Sequence, residues 1–225
     1  MTTDPAATAD RGTIARKILD IAAETARDHA LHGEKGTDLR DAPKHLLCVD
    51  VARGLARAFG SLRYHLQAAP DEPPPSSRND VAATAVDKAL ASFDIVLLDG
   101  DSGAPRHVVE IEHGTKIIDD VHRAMRAVAP ESGREHGRHA FLVTILRRSE
   151  AQAGRIAEKL LAEIEDPSTR QNAGLAANAP LTVTHSMQRI GESRSHGKDG
   201  TAIYAVVFGL SIGCDDTGAS TGAVD

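Results

Sequence analysis

Apolar residues recur along this chain with two different periods, and the places where the period changes divide it into elements. From Thr13, Ile14, Ile18 and Ile21 fall at helical spacing, which predicts a helix to about His32. The segment 33–43, with two glycines, a proline and alternating charge, reads as a loop. Leu47, Val51, Leu55 and Phe59 form one stripe of a second helix that ends at Gly60. Leu62, Tyr64 and Leu66 then alternate with Arg63, His65 and Gln67, as in a half-buried strand. The proline-rich run 70–80 is a loop, and the alanine-rich stretch from Val81 to Leu90 is read as a short helix.

The centre is more sharply patterned. Phe93 to Leu98 (FDIVLL) predicts a strand, DGDSGAPR a turn, and His107 to Glu112 (HVVEIE) the returning antiparallel strand. Gly114 and Thr115 open a helix carrying Ile117, Val121, Met125 and Val128 on one face. It stops at Pro130, and Asp119 and Asp120 suit its positive N-terminal end. Ala140 to Leu146 (AFLVTIL) is apolar almost throughout, as a strand covered on both faces is. Ser149 with Gln152 makes a capping box for a helix bearing Ala153, Ile156, Leu160 and Ile164. Leu181 to Arg189 and Ala202 to Leu210 are two further strands. From residue 46 to 146 the order is helix, strand, strand, strand, helix, strand. The expectation is one α/β domain over 13–213, with disordered segments at 1–12 and 214–225.

Composition narrows the class without changing this picture. The 225 residues are 41% hydrophobic and 26% charged, which is ordinary for a globular chain that buries a core. No apolar run approaches the ~20 residues that span a bilayer, and the polar, acidic start has no basic and apolar leader pattern. A cytoplasmic protein is expected. Cys48 and Cys214 are far apart and form no metal or redox pair, so each is read as a small, partly buried residue or a tail thiol.

Charge is uneven. The window 94–120 holds seven acids against Arg106 and Lys116, and so five of the six net negative charges. A simple non-specific nucleic-acid coat would be basic, whereas an acidic centre suits metal binding. Within the window, Glu110 and Glu112 lie two apart on a strand and share a face, roughly 6–7 Å apart. Two carboxylates on an otherwise apolar strand repel each other and lose hydration unless a cation joins them. Asp94 opens the partner strand and reaches the same end of the sheet. Three converging carboxylates make an oxygen-lined pocket suited to Mg²⁺ or Mn²⁺.

The quoted pattern, FDIVLL, a hairpin, then HVVEIE, resembles the PD-(D/E)XK (restriction-endonuclease-like) nuclease superfamily. The resemblance implies an αβββαβ core with a mixed central sheet. The extra N-terminal helix and the two C-terminal strands would flank that core. It implies Asp94 and Glu110 as metal-binding acids, with the backbone carbonyl of Ile111 as a further ligand. Phe93 stands where the family has proline, and Glu112 stands where it has lysine. Some restriction endonucleases of the superfamily carry acid-x-Glu at that place. The lysine could also come from Lys116 or Lys88, and His113 is a weaker candidate for a base. Glu112 would ligate the metal or accept the proton of the attacking water.

Two functions follow. The first is a divalent-metal-dependent phosphodiesterase acting on DNA rather than RNA, with Arg134, Arg138 and Arg147 as phosphate contacts. With aromatic residues at 3% and no tryptophan, a stacking platform for single strands is poor, and with no helix-turn-helix or zinc module visible its targeting would come from loops, a homodimer or a partner protein. The second is a catalytically silent nuclease-like fold that binds nucleic acid or protein. A third reading leaves the acidic hairpin solvent-facing and metal-free. Asp99 and Asp101 are read as turn residues. A calcium loop fails because Ala104 stands where it needs glycine. The eleven histidines show no zinc spacing. His136 and His139, in a basic loop, and Arg148 are read as solvated, with phosphate contact near the active face as the functional alternative, and Asp50 as a surface helix residue. The run 191–200 is a hairpin turn.

Overall fold

The computed structural model describes residues 10–32, 38–67, 90, 92–115, 117–129, 138–176, 178–193 and 201–212. Among them are five helices and one six-stranded mixed sheet. In chain order these are α1 (Arg11–His32), α2 (Lys44–Ala58), β1 (Leu62–Leu66), β2 (Ile95–Asp99), β3 (Pro105–Glu112) and α3 (Ile118–Val128). Then come β4 (His139–Arg148), α4 (Glu150–Glu165), α5 (Pro167–Asn172), β5 (Leu181–Glu192) and β6 (Ala202–Ile212). The strands lie in the order β1-β2-β3-β4-β6-β5. β3 and β4 are parallel and every other neighbouring pair is antiparallel.

Period-two alternation sends side chains to two separate cores. Val109, Ile111, Phe141, Val143 and Ile145 face α1 and α2, against Ile14, Ile18, Leu47, Val51 and Leu55. Val108, Leu142, Val206 and Phe208 face the other way, against Val121, Met125, Ala157 and Ile164 of α3 and α4. Layers of helix, sheet and helix result. β4 is buried over its first eight residues and β6 over all eleven, which accounts for the unbroken apolar run at 140–146. β1 is an edge strand, so Tyr64 is 37% exposed where alternation with Leu62 predicts cover.

The β2–β3 hairpin turns as its sequence predicts. The Asp99 carboxylate accepts from the backbone N–H groups of Asp101 and Ser102 and takes Arg106 at 2.9 Å. Bonds from the Ser102 N–H and then its hydroxyl, before Arg106, hold its pKa well below the usual carboxylate range. Gly103 adopts φ +68°, and a side chain at Gly100 would strike the Ser61 carbonyl oxygen at 2.5 Å. Gln152 accepts from the Ser149 N–H at the start of α4. Helix α1 begins at Arg11, two residues ahead of the predicted start. The short helix α5, capped by Asp166, follows α4 without having been predicted. The predicted helix at 81–90 lies outside the described residues except for Leu90. The chain ends at 1–9 and 213–225, residues 33–37 and 194–200 of two predicted loops, and the proline-rich run lie outside them too.

Candidate metal centre

Four carboxylates and two cations meet where β2 begins and β3 ends. The β2–β3 ladder pairs Ile95 with Val109, and one place further on Asp94 stands opposite Glu110. There the side chain of Asp94 replaces the ladder, accepting the backbone N–H of Ile111 at 2.7 Å. Glu110 points toward α3 and is 4% exposed, while the side chain of Glu112, at the strand's end, is 37% exposed.

A lysine reaches the acids from α2, while the two predicted positions, Lys88 and Lys116, lie outside the described residues. Lys44, the first residue of α2, puts Nζ 3.0 Å from Asp94, 3.5 Å from Glu110 and 3.2 Å from Glu112. A cation at the positive end of a helix is locally unfavourable, and a Pro43-Lys44 start gives no side-chain cap. Three carboxylates offset that. Burial opposes the charge on Lys44, but the attraction of Asp94, then of Glu110 and Glu112, holds its pKa above the ordinary lysine value.

Arg123 of α3 closes the other side. Its Nη2 lies 3.2 Å from Glu110 and also bonds Asp120, while Nη1 donates to the Ser92 carbonyl at 3.1 Å. The guanidinium sits over the Phe93 ring, 5.6 Å from its centroid. Asp120 is buried, so it does more than complement the helix dipole.

Glu110, Glu112 and Asp120 each offer an oxygen within 4.8 Å of the others. Oε2 of Glu110 is buried without a hydrogen-bond partner. An all-carboxylate donor set with an orphaned inner oxygen fits a hard divalent ion. Burial first, then the charge of Asp94, pushes the pKa of Glu110 up to about 7 against the pull of Arg123 and Lys44. Both Asp94 and Glu110 lie within 3.5 Å of the same lysine nitrogen, so the hairpin acids are not a solvated face.

Lys88, Lys116, Arg134 and His136 are outside the described residues. Arg138 precedes β4 at the end of the sheet away from the carboxylates, since His139 pairs with His107 and Leu142 with Glu110. Four residues of strand put it roughly 13 Å from that level. His139 is buried and stacks on His107 at 5.0 Å between centroids, where a solvated residue was expected. Arg147 lies at the carboxylate end of β4 but bonds Asp38 at 2.6 Å and Asp41 at 2.5 Å. His113 is half-buried and bonded to the Arg40 backbone; burial leads in lowering its pKa. Asp50 is an exposed helix residue that accepts from Thr25. Cys48 is buried one turn after Lys44, its thiol pushed up to about 12 by burial and by Asp94.

Lys44, Asp120 and Arg123 are the members that periodicity and motif spacing passed over. A lysine directly after Pro43 at a helix start was one available signal, and the Asp120–Arg123 spacing on one helix face was the other.

Comparison with family models, with curated proteins and with solved structures finds no match. No helix among the described residues is long and apolar enough to cross a membrane.

Proposed function

We propose that the chain is a divalent-metal-dependent nuclease that hydrolyses phosphodiester bonds, with DNA as its preferred substrate. One observation carries the reading: four clustered carboxylates, Asp94, Glu110, Glu112 and Asp120, face two cations among the described residues, Lys44 and Arg123. Two negative charges remain, and one of the oxygens concerned is buried and unbonded. One Mg²⁺ or Mn²⁺ neutralises that excess.

The order α2, β1, β2, β3, α3, β4, with two antiparallel pairings followed by a parallel one, supports the likeness to the restriction-endonuclease-like core. Lys44 supports it further. It brings an ammonium to the acids from α2, so Glu112 need not be a lysine for the site to contain one.

A divalent ion bound among these carboxylates supplies polarisation of the scissile phosphate and a more acidic water. Glu110, Glu112 and Asp120 would hold it, with Asp94 beside them on Lys44 and the Ile111 N–H. Lys44 Nζ lies where it can orient the attacking water and stabilise negative charge developing on phosphate oxygen. Glu112, the most exposed of the acids facing Lys44, is suited to accept the water's proton.

The test is incubation of purified protein with plasmid and linear DNA, with RNA in parallel, in Mg²⁺ or Mn²⁺. Cleavage that Glu110→Ala abolishes is expected. If no nucleic acid is cut and calorimetry detects no metal, the reading fails. Metal binding without cleavage points instead to a silent nuclease-like binding subunit.

A further inference from the structure

The described molecule offers few other places where unexplained chemistry gathers. The His107–His139 stack has no carboxylate or thiol beside it among the groups that could hold a metal. A cavity of about 470 Å³ between α1, Asp38 and β5 is lined by two opposite-charge sets, Arg27 and Arg189 with Asp38 and Glu192. Nothing there selects a ligand. The centre itself holds an unexplained relationship. The space between Glu110 and Asp120 is where a divalent ion would find two inner ligands, and Arg123 Nη2 already lies there, bonded to both.

We infer that Arg123 is a resident counter-cation that the divalent ion must displace from Glu110, so that this one side chain sets metal affinity. The inference rests on the metal-centre reading above and adds a regulator to it. An ion bridging Glu110 and Asp120 takes carboxylate oxygens at roughly 2.0–2.6 Å, and the Arg123 nitrogen, 3.2 Å from Oε1 of Glu110 and bonded to Asp120, already occupies the gap between those two carboxylates. Two cations sharing one carboxylate also repel each other.

Arg123 differs from Lys44 in where it can go. Nη1 is held by the Ser92 carbonyl and the group is stacked on Phe93, so it keeps an anchorage when Nη2 gives up Glu110. Both side chains reach solvent to a similar extent, 31% for Arg123 and 34% for Lys44, so the second anchorage is what separates them. The orphaned Oε2 of Glu110 shows that the carboxylate is not satisfied by its present partners. Lys44 bonds three acids from a helix terminus and has no comparable alternative hold. Of the two cations, Arg123 is therefore the one to yield.

Two measurements on the full chain test this. In calorimetric titration with Mn²⁺, Arg123→Gln is expected to bind about tenfold more tightly than wild type, because no competing charge-assisted contact has to be broken. Equal or weaker binding in a variant with a wild-type circular dichroism spectrum overturns the inference. The second measurement needs only wild type: the arginine Nε–H resonances are followed during Mg²⁺ titration, with Arg123→Lys used solely to assign the signal. Movement of the Arg123 resonance in step with metal binding is expected. A stationary Arg123 signal at saturating metal overturns the inference while leaving the metal centre intact. Absence of binding in wild type and in Arg123→Gln overturns both. Absence in wild type with binding in the variant supports displacement most strongly.

Discussion

Lys44 and Asp94 meet at 3.0 Å across the mouth of the sheet, and the same Asp94 oxygen also takes the Ile111 N–H at 2.7 Å. One carboxylate thus joins the first turn of α2, the start of β2 and the end of β3. Replacing Lys44 by Met keeps the aliphatic stem and removes the charge, which leaves Asp94, Glu110 and Glu112 facing one another. Because Lys44 is partly exposed, the expected loss of stability in denaturant melts is modest, about 1–2 kcal/mol. Metal-dependent DNA cleavage should fall far more, by about 10²-fold or greater. Comparable small losses in both would refute a role for Lys44 in the reaction.

Glu110 yields a prediction of opposite sign. Its pKa is about 7 in the folded chain against an ordinary 4.5, so between those values the folded state holds more proton than the unfolded state. The contribution is present below pH 4.5 and is lost as pH rises through 7. By pH 8 the ionised group costs about 3 kcal/mol in metal-free protein. Glu110→Gln should therefore raise the metal-free melting temperature at pH 8 more than at pH 4.5, while metal no longer stabilises the variant. Thermal melts at the two pH values, with and without Mn²⁺, check both halves.

At the far end of the same strand, His107 acts through acid. Burial, then the neighbouring His139 and Arg106, lowers its pKa to about 3 from an ordinary 6.5. The unfolded chain takes up a proton that the folded chain refuses, so stability is fully present above pH 6.5 and is lost as pH falls toward 3. The loss is on the order of 2–3 kcal/mol by pH 4. His107→Gln should flatten the acid limb of a plot of unfolding free energy against pH. An unchanged slope would show that other groups carry it.

Arg147 holds Asp38, whose side chain is 4% exposed, and Asp41, which brings the turn ahead of α2 against the end of β4. Asp41 and Ala42 in turn donate backbone N–H groups to the Asp38 carbonyl, just before Lys44. Arg147→Ala strands a buried carboxylate and should cost about 2–4 kcal/mol. A double-mutant cycle with Asp38→Asn should recover much of that cost as coupling energy, measured by chemical denaturation.

The fold was readable wherever burial is decided locally. The run 140–146 is apolar because β4 is covered on both faces, and Asp99 with Gly103 announces the hairpin through its own turn chemistry. Glu110 and Asp94 could be paired from strand period alone. Lys44 could not, because its meeting with Asp94 depends on where α2 docks on the sheet, which no local pattern encodes. Asp120 was read only as a complement to a helix dipole, since the Glu110 side chain that gives it a second role comes from another strand. Tyr64 misled for the same reason: its exposure follows from β1 lying at the sheet's edge.

β3 lies in the middle of the sheet, bonded to β2 on one side and to β4 in the one parallel pairing on the other. Backbone amides in such a position open to solvent only with global unfolding, and they should be among the slowest in the chain to exchange for deuterium. The carboxylates of Glu110 and Glu112 are mounted on the part of the molecule with the least freedom to breathe. Adjustment at this centre therefore falls to the long side chains that reach in from α2 and α3, on the nanosecond scale of rotamer exchange rather than the slower one of strand movement.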